Sequence, residues 1–219
     1  MEPRSRVRVE LWWIPLGAGG HFVKFNGRVY EIVRAWRERR PRMALYHSAL
    51  VVQVPEGRFV IEDSWPIPDD DGASRGVVVE GPVFSRKLGR FRSLRYEVRC
   101  WREGTIFDAR WAAPPCIVTE DARVARRILA LAPQLPVKVW GRDEDGVGDM
   151  WNSNSVISWL LSCAGLDAES FAPPSGGRAP GWASGVAVAR VGPPPGAAGS
   201  MASAASVPPR PPAARERTN

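Results

Sequence analysis

An α+β domain followed by an unstructured tail is the architecture this sequence predicts, on three observations. Short β-rich segments bounded by turn residues fill the first half of the chain. Helical patterns come later and in a separate block, which argues against alternating βαβ units and for an antiparallel sheet packed with a few helices. The final stretch is too poor in large apolar side chains to offset the entropy of ordering it.

Six segments carry the strand signal: Val7 to Ile14, Phe22 to Phe25, Ala49 to Val54, Arg58 to Glu62, Gly76 to Val79 and Tyr96 to Trp101. Pro55-Glu56-Gly57 separates two of them with a fixed φ followed by a permissive glycine. His47 to Val54 and Arg58 to Glu62 therefore read as a hairpin that carries His47 toward residues 62 to 65.

Three segments read as helices. Tyr30 to Arg40 stops at Pro41; Thr119 to Ala132 has Thr119 as its N-cap and Val124, Ile128 and Leu131 on one face; Ser155 to Ala164 is stopped by Gly165. Gly176 to Val191 still holds Trp182, Val186, Val188 and Val191, and reads as a closing strand. The folded domain thus runs over 1–191. Residues 192–219, with Pro193-Pro194-Pro195 and Pro208-Pro209-Arg210-Pro211-Pro212, read as a disordered Pro/Ala/Gly-rich tail.

At 219 residues, 44% hydrophobic and 24% charged, the chain has ordinary globular usage with a sizeable core. No run approaches the roughly 18 apolar residues of a membrane span, and the charged start Met1-Glu2-Pro3-Arg4-Ser5-Arg6 is unlike an export signal. A cytoplasmic protein is expected. Cys100, Cys116 and Cys163 are odd in number and widely spaced, so reduced thiols are expected, with no disulfide framework or metal site. Cys163 near a helix C-terminus reads as packing. Ten tryptophans, scattered rather than at helical spacing, read as packing too.

The formal charge of +7 raises nucleic acid as a partner. Arg34 to Arg42 and Arg86 to Arg95, which includes Arg90, Arg92 and Arg95, mix arginines with Trp36, Phe91 and Tyr96. Glu31, Glu38 and Glu97 dilute both, and the balance favours a solvated helix face and a charge-guarded edge strand over a nucleic-acid site. Asp69-Asp70-Asp71-Gly72 and Asp143-Glu144-Asp145-Gly146 resemble pieces of calcium loops, but neither completes the ligand spacing. No metal and no cofactor are expected.

Chemistry points to Trp151-Asn152-Ser153-Asn154-Ser155, small polar residues opening a helix where free backbone amides can stabilise an anion. This suits a nucleophile with an oxyanion site; it equally suits a helix cap. Any histidine chemistry must use His21 or His47, the two histidines of the chain. Gly17-Ala18-Gly19-Gly20, before His21, meets neither phosphate-loop pattern and reads as a hairpin.

Three pieces in order resemble the circularly permuted papain-like proteins, relatives of the NlpC-type peptidases and of lecithin–retinol acyltransferase. Tyr46-His47-Ser48-Ala49-Leu50-Val51-Val52 is similar to that group's histidine strand. Phe59-Val60-Ile61-Glu62 is similar to the strand that follows, and Asn152-Ser153-Asn154-Ser155 to its nucleophile turn, over roughly residues 43 to 165. Ser153 stands where that group keeps cysteine; a serine must lose its proton during attack, whereas a cysteine can exist as thiolate.

The resemblance implies a hydrolase or acyltransferase acting on an amide or ester of a small molecule, peptide or lipid. Ser153 would attack, His47 would be base then acid, and Glu62, or equally Asp63, would fix the imidazole. Asn152 or Asn154 would hold the oxyanion, and Trp151 would wall a groove. The alternative is a catalytically inactive member of the fold that binds its ligand in the same groove. Nucleic-acid binding is a third reading.

Overall fold

The computed structural model describes residues 6–16, 31–32, 34–66, 76–106, 108–174 and 176–192. Phe22 to Phe25, His21, Asp69-Asp70-Asp71-Gly72 and the tail from residue 193 lie outside them.

The chain is α+β. Six strands, β1 (Arg8–Pro15), β2 (Ala44–Val54), β3 (Gly57–Ser64), β4 (Val77–Pro82), β5 (Arg95–Arg102) and β6 (Cys116–Thr119), form a sheet of order β4-β5-β3-β2-β1-β6 with every neighbour antiparallel. A two-residue strand, β7 (Gly177–Arg178), adds to the start of β2 in parallel. The helices are α1, with helical residues 31, 32 and 34 to 37, then α2 (Ala122–Leu131), α3 (Ser153–Cys163) and α4 (Trp182–Arg190).

β2 and β3 form the expected hairpin. Val54 pairs with Gly57 across the two-residue turn Pro55-Glu56. Gly57 sits at φ 144°, a backbone that side chains avoid, and a Cβ there would lie 2.7 Å from Arg102 Nε.

The sheet is buried on both faces, and alternation along the strands divides the core in two. On one face Val9, Leu11, Trp13, Leu50, Val52, Ile61, Tyr96 and Val98 pack against α2, α3 and α4. On the other, Ile14, Ala49, Val51 and Val60 pack with Ile106, flanked by Trp12 and Trp101.

Three expectations change. Gly176 to Val191 is not a strand: its pairing is confined to β7, and Trp182–Arg190 is helical, burying Ser184, Gly185 and Val186. Thr119 does not cap α2 but ends β6; Asp121 is the cap, its carboxylate accepting the Arg123 N–H at 2.7 Å. The third helix begins at Ser153 with Asn152 as its cap, two residues earlier than Ser155. Cys163 is buried near the end of that helix, and burial raises its thiol pKa.

Candidate functional site

Asn152 is extended, with a carboxamide oxygen accepting the Asn154 and Ser155 N–H groups at 2.9 and 3.4 Å. Ser155 Oγ in return accepts the Asn152 N–H at 3.0 Å, which completes a reciprocal capping box. The amides at 154 and 155, two of the donors that open the helix, are therefore occupied by the chain's own cap.

Asn154 is 2% exposed and joins three elements. Its Oδ1 accepts the Ser48 hydroxyl of β2 at 2.8 Å. Its Nδ2 donates to Tyr46 O of β2 at 2.9 Å and to Pro180 O, before α4, at 2.8 Å. Both amide hydrogens and the carbonyl oxygen are used.

The same loop takes the remaining bonds. Asn152 Nδ2 donates to Pro180 O at 2.9 Å, and Ser155 Oγ lies 2.7 Å from Gly181 O. Asp149 Oδ2 accepts the Gly181 N–H at 2.8 Å, and Ser158 Oγ donates to Trp182 O at 2.8 Å. Gly181 is left-handed, φ 89°, and a Cβ on it would lie 2.2 Å from Asn152 Oδ1. The turn is thus a joint that fastens α3 to β2 and to the entry of α4. Ser153 is half-buried, and its hydroxyl takes no part in this network.

The expected triad is split by the sheet. Tyr46 and Ser48 face α3, as do Leu50 and Val52; His47, between them, points the other way with Ala49 and Val51. The register agrees, because Ser48 pairs with Trp13 of the helix-side core whereas His47 pairs with Ile14 of the opposite core. Ser153 and His47 are therefore separated by the backbone of β2. Trp151 is 1% exposed and belongs to the core, where it cannot wall a groove.

The two candidate acids divide in the same way. Asp63 lies on the helix side and accepts the Trp140 indole N–H at 3.2 Å; burial raises its pKa to about 8. Glu62 shares the His47 face, opposite Arg99 of β5, whose guanidinium is 4.0 Å away. Burial raises Glu62 to about 7, with Arg99 opposing the shift and Asp108 adding to it. His47 is pulled down to about 4 by burial, against the attraction of Asp108. Its imidazole is neutral at pH 7.

Arg99 is 5% exposed and also donates to Glu97 at 3.1 Å and to Trp65 O at 2.9 Å. This face therefore carries a polar group, buried at Arg99 and Glu97 and half-buried at His47, Glu62 and Asp108, of which the sequence singles out His47 and Glu62 as site residues. Glu97 and Arg99 alternate with the apolar Tyr96 and Val98, an inward-facing polar pattern visible only once β5 is known to be covered on both sides.

Among the described residues no group of three or more His, Cys, Asp or Glu side chains is placed to hold a metal ion, and no helix is long and apolar enough to cross a membrane. No known protein family, curated protein or solved structure matches this chain.

Proposed function

We propose that this chain is a catalytically inactive α+β binding domain of permuted papain-like type, with the Asn152 to Ser155 turn as its structural joint. The observation that carries this reading is the side of β2 facing the turn: Ser48 meets Asn154 there, while His47 faces the opposite core. A serine hydroxyl needs a base within hydrogen-bond reach at the moment of attack. Here the proposed base lies across the sheet, and the amides at 154 and 155 that would steady an oxyanion are spent on the cap.

One observation favours the hydrolase or acyltransferase reading, because Ser153 alone among residues 152 to 155 keeps its side-chain polar atoms out of the joint. A fluorophosphonate probe on the full chain separates the two. The binding reading expects labelling no higher than in Ser153→Ala; labelling that is rapid in the wild type and abolished by that substitution would establish Ser153 as a nucleophile. The ligand surface should then be sought away from this turn.

A further inference from the structure

Glu31 and Glu38 are the two acids near the arginines of residues 34 to 42, and the structure uses up both. Glu31 is 4% exposed; its carboxylate takes two hydrogen bonds from Arg40 and one from the Met43 N–H. Glu38 accepts from Arg178 of β7 and from Arg40, and pairs with Arg34 at 3.0 Å. These partners, Arg178 foremost, hold the Glu38 carboxyl down to about 2. Arg40 also donates to the carbonyl of its neighbour Pro41.

Arg37, Arg39 and Arg42 remain. All three are exposed, and none of their side chains forms an ion pair or hydrogen bond among the described residues. With Ile32 and Trp36 they line an open recess of about 980 Å³. Trp36 is 78% exposed and has no ring or guanidinium partner among the described residues; Ile32, one helical turn earlier, is 48% exposed. Arg39 sits at φ 50°, a left-handed backbone uncommon for arginine.

We propose that this recess is a binding site for single-stranded nucleic acid, with Arg37, Arg39 and Arg42 on the phosphates and Trp36 stacked on a base. Guanidinium forks match phosphate oxygens, and a bare indole face offers what an unpaired base stacks on. A membrane fits less well, since Ile32 and Trp36 give too little apolar area to insert. An acidic peptide would satisfy the arginines but leave the indole face without a flat partner. The dilution by glutamate that argues against such a site in the sequence is absent here, because both glutamates are committed to Arg34, Arg40 and Arg178. This site rests on the binding reading above and names its ligand.

The test is fluorescence anisotropy of a labelled ten-nucleotide oligo(dT) titrated with the full chain, at low and at roughly physiological salt. Binding that weakens with salt and quenches tryptophan emission is expected. The triple variant Arg37→Gln, Arg39→Asn, Arg42→Gln should weaken it at least tenfold and flatten the log–log salt slope by about 2, as for three phosphate contacts. Asn at 39 keeps a side chain that tolerates the left-handed backbone. Trp36→Ala should cost about tenfold and abolish the quench. Circular dichroism should show both variants folded, since all four side chains are exposed.

Four results would overturn the site: no binding at low salt, undiminished binding by the triple variant, equal affinity for duplex of the same length, or tighter binding to anionic vesicles or polyglutamate. Labelling of Ser153 by the serine probe would overturn the inactive-domain reading without touching these titrations, so the two failures are distinguishable.

Discussion

At the scale of single residues, Asn154 and Ser153 are neighbours with opposite roles. Truncating Asn154 leaves the Ser48 hydroxyl without its acceptor and removes one donor each from Tyr46 O and Pro180 O, all close to α3. Unsatisfied buried groups cost about 1–3 kcal/mol each, so Asn154→Ala is expected to lower unfolding free energy by at least about 2 kcal/mol. Ser153→Ala breaks no hydrogen bond and should stay within about 0.5 kcal/mol of wild type. Urea denaturation of both variants measures the contrast. A costly Ser153→Ala beside a mild Asn154→Ala would mean that the joint has been placed on the wrong side chains.

At the scale of elements, the close crossing of α4 on α3 depends on Gly185. A Cβ there would lie 2.1 Å from both Ser155 O and Ser158 Oγ, one a backbone atom that cannot turn aside. Glycine within a helix is ordinarily about 1 kcal/mol worse than alanine. Gly185→Ala should nevertheless destabilise, by about 1–3 kcal/mol, because the helices must separate to admit the methyl group. A melting temperature at or above wild type would show that α4 packs elsewhere.

The same elements show where the sequence is readable. β1, β3 and β5 stand out because apolar residues are bounded by turn signals, and the capped start of α3 stands out because asparagine and serine do there what caps do. α4 is hidden: in nine residues its valines fall at a spacing of two, and the small residues that allow its close approach carry no helical stripe. The direction of His47 is hidden for a different reason. Ala49, Leu50, Val51 and Val52 are all buried, so β2 has no polar–apolar alternation to reveal which residues face the helices. A one-residue difference in parity decides the site, since it exchanges His47 for Ser48 opposite Asn154.

At the scale of the whole molecule, the sheet is a partition with an uncharged-leaning carboxyl on each side, and this sets how stability responds to pH. Asp63, on the helix side, and Glu62, on the His47 side, have folded pKa values of about 8 and about 7, above their ordinary 3.8 and 4.5. Each contributes stability that is full below its unfolded pKa and is lost as pH rises through the folded one, because the unfolded chain ionises first. His47 has the opposite sign: its folded pKa of about 4 lies below the ordinary 6.5, so its contribution is lost as pH falls from 6.5 toward 4. Between pH 4 and 6.5 the histidine and the carboxyls therefore oppose one another. As pH rises past 6.5 the unfolded histidine loses its remaining charge and the carboxyls of Glu62 and Asp63 come to dominate. The melting temperature should accordingly decline between pH 6.5 and 8, Glu62 acting up to about 7 and Asp63 over the full interval. Asp63→Asn keeps an oxygen to accept the Trp140 N–H but has no proton to lose, and should flatten that decline, whereas Glu62→Gln should flatten only its lower part. A decline equally steep in Asp63→Asn would show that Asp63 already ionises freely in the folded protein and that the helix-side core is open to water at that point.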